Sequence, residues 1–299
     1  MRSLKKFMAA GLAAAMVFSM TACSSKPAET AAPETQAETT ADTTAEAVEE
    51  AKTEAAEAVE GKDPAEVKVG ISIYQFADNF MTVYRQELER YLTEELGVKK
   101  ENISIMDGKN DQGEQMNQIR NFITTGVDVM IINLVQASSE PTVTEECAKA
   151  GIPVVYINRE PEAEREQAWV DEGIKATYVG ADARQSGTFQ GEEIAELENK
   201  GDADGDGVVR YIMVQGDPEN VDAQYRTEFS IKALTDAGIE VEELVKMRGD
   251  WDQTKGQEIT ANALAQHGAK IDVVFCNNDA MALGALQAIE AAGRTVNKD

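Results

Sequence analysis

From residue 67 to the end of the chain, short apolar runs alternate with amphipathic stretches. Residues 67–73 (Val-Lys-Val-Gly-Ile-Ser-Ile) read as a strand, 79–96 as a helix stopped by Gly97, and 103–107 as a second strand. A helix over 112–125 ends at Gly126, and 129–133 (Val-Met-Ile-Ile-Asn) is a continuous apolar strand. A helix over 140–150 gives way at Gly151-Ile152-Pro153 to a strand over 154–158. A connection leads to a strand over 176–180 and a helix over 186–200. The alternation resumes with a strand over 209–214, a helix over 223–237, a strand over 241–247, a helix over 254–267, a strand over 273–277 and a helix over 280–292. Runs of largely apolar strand residues, set between helices, signal a parallel sheet covered on both faces. The pattern predicts an α/β, doubly wound fold.

In such folds ligands sit beyond the carboxyl ends of the strands. The residues found there are Asp78-Asn79-Phe80, Asn110-Asp111, Asn133, Asn158-Arg159-Glu160, Asp182, Gly216-Asp217, Trp251-Asp252 and Asn277-Asn278-Asp279. The set is rich in Asp, Asn, Arg and aromatics. It lacks a nucleophile with a base, a phosphate-cradling glycine loop and a dinucleotide fingerprint. Planar carboxylate, amide and guanidinium groups make paired hydrogen bonds to vicinal hydroxyls, and an aromatic face suits the C–H patch of a pyranose. Convergence of such groups points to a neutral polyol. Asn and Asp are also the usual helix caps and turn formers, so each alone is equally well read as a cap.

The N-terminus follows other rules. Arg2, Lys5 and Lys6 precede an apolar run over 7–20, and Met20-Thr21-Ala22-Cys23 closes it. Residues 1–22 are a secretory leader by this design, and small residues before Cys23 resemble the bacterial lipobox, which implies lipidation of Cys23 and anchorage to the outer face of the cell membrane. Residues 23–65 are Ala, Glu and Thr rich, too poor in apolar surface to order themselves. As a flexible spacer, about 40 residues reach roughly 35 Å.

Composition removes several functions. Against 54 Asp and Glu stand 28 Lys and Arg, a net charge of −26 over 299 residues. A nucleic-acid binder needs a basic footprint, so none is expected. A single histidine, His267, makes a histidine triad or multi-histidine metal site implausible. Of three cysteines, Cys147 and Cys276 would remain beside Cys23, with no Cys-x-x-Cys for redox work. Cys276 reads as a small buried hydrophobe. Paired-carboxylate glycoside chemistry is not excluded by counting, but it demands an acid and a base at defined separation.

The motifs now become recognisable. Residues 74–81 (Tyr-Gln-Phe-Ala-Asp-Asn-Phe-Met), Asn110-Asp111-Gln112, Ile132-Asn133-Leu134-Val135, Asn158-Arg159-Glu160-Pro161, residues 178–182 (Tyr-Val-Gly-Ala-Asp) and residues 277–282 (Asn-Asn-Asp-Ala-Met-Ala) follow in order. Together they resemble the galactose/glucose-binding proteins of bacterial ABC sugar transport, from about residue 67 to the end. The resemblance implies a two-lobed, type I periplasmic-binding-protein-like fold, with residues 66–180 as the first lobe, 181–299 as a second, incomplete lobe, and 180–182 as a hinge crossing. It implies that Asp78 accepts from a sugar hydroxyl and that Phe80 and Trp251 sandwich the ring. Asn158 would bind from the first lobe, Asp222 and Arg226 would clamp the anomeric end, and Asn278 would bind ring hydroxyls. Arg226 lies four residues after Asp222, on the same helix face. Where the family usually carries histidine, this chain has Asn220, which also offers a donor and an acceptor.

The implied activity is non-enzymatic: a monomeric lipoprotein captures a hexose, galactose, glucose or a close relative, and delivers it to ABC permease subunits. The alternative is a sensor addressing a chemoreceptor or a sensor kinase, or a protein for another sugar. Residues 202–210 (Asp-Ala-Asp-Gly-Asp-Gly-Val-Val-Arg) also match the start of an EF-hand-like loop, with carboxylates Asp202, Asp204 and Asp206 and the Val208 carbonyl at positions 1, 3, 5 and 7. The resemblance adds Asp272 as a distant carboxylate, so Ca²⁺ is the expected ion. Arg210, at position 9, stands where an oxygen ligand is expected.

Overall fold

The structure, a computed structural model, describes residues 61–297. The leader, Cys23 and most of the acidic stretch lie outside the described residues. Among the described residues no helix is long and apolar enough to cross a membrane.

Five strands form one parallel sheet: β1 (Val69–Ile73), β2 (Ile103–Asp107), β3 (Val129–Ile132), β4 (Val154–Ile157) and β5 (Ala176–Val179). Their order is β2-β1-β3-β4-β5. All of β1 is buried, as strands covered on both faces must be. Helices α1 (Asn79–Arg90), α2 (Gln112–Thr125), α3 (Glu140–Ala150) and α4 (Ala163–Glu172) connect them. One face holds Ile71, Ile73 and Met81 with Leu92, and the other Ile119, Phe122, Ile132 and Tyr156.

A second parallel sheet holds β6 (Val208–Gln215), β7 (Glu240–Arg248) and β8 (Val273–Cys276) in the order β7-β6-β8. Its helices are α5 (Ala183–Ala195), α6 (Val221–Asp236), α7 (Gln253–His267) and α8 (Asp279–Ala291). Helices α5 and α6 cross at backbone distance. A Cβ on Gly191 would lie 2.3 Å from the Ser230 carbonyl oxygen, and one on Gly187 would lie 3.0 Å from the Arg226 Cα. The two glycines, one turn apart, bring Gln190 and Arg226 to one place.

The predicted elements agree with these to within a few residues, with three departures. The helix expected over 79–96 is α-helical only to Arg90 and closes with a π-helical turn, Tyr91–Glu95. The helix expected over 186–200 starts at Ala183, because Asp182 accepts from the Arg184 N–H and caps it, and ends at Ala195. The connection after β4 contains α4. Only Trp169 and parts of its neighbours turn inward there, so the sequence shows no apolar stripe. Its anchor is polar: Glu140, fully buried, accepts from Trp169 Nε1 at 2.8 Å and Arg165 Nε at 2.7 Å. The Trp169 ring stacks on Tyr156 at 5.4 Å. Cys147 and Cys276 are both buried and free.

Candidate functional site

Each sheet has one point where successive connections leave in opposite directions, between β1 and β3 and between β6 and β8. A crevice opens at such switch points, beyond the carboxyl ends of the strands. The two are built alike. Beyond β3, Asn133 Oδ1 accepts from the Tyr74 N–H at 3.2 Å, tying it to the residue that follows β1. Beyond β8, Asn277 Oδ1 accepts from the Gly216 N–H at 2.9 Å, tying it to the residue that follows β6. Both asparagines are buried, so each amide is a fixed post for the loops around it.

Those loops and helix starts enclose a cavity of about 820 Å³. Asp78, Phe80, Asn158, Asn220, Asp222, Arg226, Trp251 and Asn278 all line it. Several have structural duties as well. Asp78 caps α1, accepting from the Met81 N–H at 2.9 Å, and its other oxygen accepts from the Tyr74 hydroxyl. Asn220 caps α6 through the Asp222 N–H at 2.8 Å. Asn278 caps α8 through the Met281 N–H at 3.0 Å, while its amide donates to the Trp251 carbonyl at 3.2 Å. The cap and cavity roles thus coincide in these three residues. Each cap oxygen keeps a further lone pair for a ligand.

Asn158 and Trp251 have left-handed backbones, with φ of 62° and 66°. This conformation costs non-glycine residues about 1–3 kcal/mol and gathers at functional sites. The Asn158 side chain accepts from Asn133 Nδ2 at 3.1 Å. The Trp251 ring lies over Gly216, where a Cβ would come within 2.3 Å of it. Gly216 is therefore required for the ring to lie there. Phe80 is 58% exposed at the cavity wall.

The second lining feature is unmet hydrogen-bonding capacity. Asp222 Oδ2, Arg226 Nε, Trp251 Nε1 and Gln190 Oε1 are buried without a partner among the described residues. All four residues line the cavity. Burial lifts the Asp222 carboxyl to about 6, against the pull of Arg226, the Glu160 N–H and Arg159. Arg226 donates through Nη1 to the Asn277 carbonyl at 2.7 Å, and its guanidinium carbon sits 5.9 Å from the Trp251 ring centre. Buried polar atoms in folded proteins are almost always paired. Four unpaired ones of mixed donor and acceptor type describe the complement of a polar ligand.

Arg159, Tyr74 and Gln190 also line the cavity, outside the set of site residues expected from the sequence. Arg159 is 4% exposed, donates to the Val135 carbonyl at 2.6 Å and lies 3.8 Å above the Tyr74 ring. Burial pulls its basicity down. Its position directly after β4 was a usable signal. Gln190 sits in mid-helix, and only the α5–α6 crossing brings it to the cavity.

The acidic loop differs from its expected form. Asp202, Asp204 and Asp272 offer oxygens within 4.8 Å of one another. Asp206 is not in this group, because Arg210 holds it: Nη2 lies 2.7 Å from Asp206 Oδ2. Val208 opens β6 with its N–H donated to Asp206 Oδ1 at 3.0 Å. Calcium takes six to eight oxygens. Asp202, Asp204 and Asp272 offer three carboxylates toward such a set, and the Arg210 guanidinium lies against Asp206.

Comparison with known proteins agrees with this geometry. A family described as "Periplasmic binding protein domain" matches residues 69–299. The D-galactose/methyl-galactoside binding periplasmic protein MglB of Haemophilus influenzae is 33% identical over 234 residues, which are 77% of this chain and 69% of the relative. A putative rhizopine-binding protein of Rhizobium meliloti is 35% identical over 231 residues, again 77% and 69%. An ABC transporter solute binding protein of Bacillus halodurans, solved with myo-inositol, is 29% identical with a TM-score of 0.64, covering 78% of this chain and 74% of that one. With its parallel sheets and the cavity at their carboxyl ends, the chain belongs to the periplasmic binding protein domain family and has its type I α/β fold.

Proposed function

We propose that this protein is a solute-binding component of an ABC sugar importer, that it captures one neutral monosaccharide in the 820 Å³ cavity, and that it carries out no chemistry on it. The observation that carries the reading is the set of orphaned polar atoms on Asp222, Arg226, Trp251 and Gln190, gathered around one cavity with two aromatic rings. A carboxylate and a guanidinium four residues apart on α6 accept from and donate to adjacent hydroxyls. Trp251 and Phe80 supply apolar faces for the ring's C–H groups. Sugar-binding names among the relatives support the same class, and a hexose is the first choice because the relative with an assigned sugar at 33% identity binds galactose.

Delivery to a permease, export through the leader and a lipid on Cys23 complete the proposal. Two lobes meeting at 180–182 would close on the ligand, whose tighter grip on the closed form shifts the population. The test is isothermal titration calorimetry of the full chain with D-galactose, D-glucose, myo-inositol and D-ribose. Micromolar one-to-one binding of galactose or glucose is expected. Heat with myo-inositol or ribose alone would move the assignment to that class, and silence from all four in a folded protein would end the monosaccharide reading.

A further inference from the structure

The loop before β6 carries Asp202, Asp204 and Asp206, and Asp272 reaches it from the residue before β8. Asp202, Asp204 and Asp272 offer oxygens within 4.8 Å of one another, with Asp206 on the same loop, and carboxylates this close repel one another unless donors or a cation intervene. The chain itself provides both. Asp202 accepts from the Gly205 and Gly207 N–H groups at 2.8 and 2.9 Å. Asp272 accepts from the Ala203 and Arg210 N–H groups at 3.2 and 2.8 Å, which ties the loop to the start of β8. Asp204 accepts from the Asp206 N–H at 3.2 Å, and Asp206 from the Val208 N–H at 3.0 Å.

The cation is Arg210. Its guanidinium lies 2.7 Å from Asp206 Oδ2, 3.8 Å from Asp204 Oδ2 and 3.0 Å from Glu242 Oε2 on β7. The side chain is only 18% exposed although the carboxylates around it are half exposed. It therefore lies down within the cluster and spans the loop, β6 and β7. Arginine remains charged at any accessible pH, and its planar fork meets several carboxylates at once. At position 9 of an EF-hand-like loop an oxygen normally faces the ion, often through water. Here a fixed positive charge faces Asp206 and the outer oxygen of Asp204.

We propose that Arg210 is the resident cation of this loop, so that the second lobe folds and keeps its shape without a divalent ion. The Asp202–Val208 loop has the outline of a calcium site in which a tethered guanidinium has taken over the ion's electrostatic task. Two consequences follow. A divalent ion gains little by entering, since it meets the guanidinium beside Asp204. Removal of Arg210 exposes the repulsion and creates a demand for a metal.

The experiment follows thermal unfolding of the full chain in EGTA and in millimolar CaCl₂, for the wild type, Arg210→Gln and Arg210→Lys. The wild type and Arg210→Lys are expected to melt at the same temperature in both buffers, within about 1 °C. Arg210→Gln is expected to melt several degrees lower in EGTA, given about 2–4 °C per kcal/mol in a domain of this size. Recovery of that loss by CaCl₂ supports the exchange of cations, and a loss that CaCl₂ leaves untouched overturns it. A rise in wild-type melting temperature with CaCl₂ overturns the proposal, as does an Arg210→Gln variant that melts with the wild type in EGTA. Terbium luminescence gives an independent reading, with sensitised emission expected in Arg210→Gln and its appearance in the wild type at micromolar Tb³⁺ counting against the proposal. None of these readouts involves the cavity between the sheets.

Discussion

Replacing Asp222 by Asn should move stability and binding in opposite directions. The carboxyl is 4% exposed, one of its oxygens has no partner, and its pKa is raised from 3.8 to about 6. A native pKa above the unfolded one means that the folded state holds its proton more tightly. The contribution to stability is then fully present below about pH 4 and is lost as pH rises through 6. A rise of that size corresponds to about 3 kcal/mol. Asp222→Asn keeps the shape and removes the charge, so the unliganded variant should gain up to about 3 kcal/mol at pH 7.5 and nothing near pH 4. In melting temperature this is about 6–12 °C. Binding should suffer, because hydrogen bonds to a charged group contribute about 1.5–3 kcal/mol each. Affinity for the sugar that wild type binds should fall about tenfold to a hundredfold. In the wild type it should also weaken below pH 6, where the carboxyl is protonated. Thermal melts and calorimetric titrations at a series of pH values measure both. An Asn variant with unchanged affinity, or a stability gain independent of pH, would refute the idea that this carboxylate is kept buried for its ligand.

Two further outcomes follow from other parts of the structure. Trp169 is buried beside Tyr156 while Trp251 lines the cavity, so a sugar-induced fluorescence change should survive Trp169→Phe and vanish in Trp251→Ala, with at least tenfold weaker binding in the latter; a change retained in Trp251→Ala would dissociate the ring from the site. Glu140→Ala should strip the buried partner from Trp169 Nε1 and Arg165, costing about 3 kcal/mol; denaturant melts should show the loss, and an unmoved midpoint would mean that α4 is held by its ring stacking alone.

Legibility differed sharply between kinds of residue. β3 announces itself because every position in it is apolar, and β1 because only Ser72 breaks its run of apolar residues and glycine, as two-faced burial requires. Asp78 and Asn278 stand out because they follow strands, and a residue after a parallel strand faces the crevice whichever helix it then caps; Asn220 was marked only by the family resemblance. The helix α4 was hidden because one tryptophan and one distant glutamate hold it, and neither makes a periodic pattern. Gln190 was hidden because its neighbours in space lie on another helix. Arg210 was visible as a misfit at position 9, but its reach to Glu242 depends on the pairing of β6 with β7.

What the chain determined locally was the succession of strands and helices, their caps, and the kind of chemistry at each strand end. Apolar periodicity and turn preferences act over a few residues, so the order of residues alone carries them. Tertiary structure decided which strand ends share a cavity, and it placed Trp251 over Gly216. It left Asp222, Arg226 and Gln190 without partners and lodged Arg210 among the acidic side chains. These depend on strand order and helix crossing, which join residues far apart in the chain. A buried charge or an unpaired hydrogen-bonding atom is a property of that three-dimensional surrounding, and no residue carries it by itself.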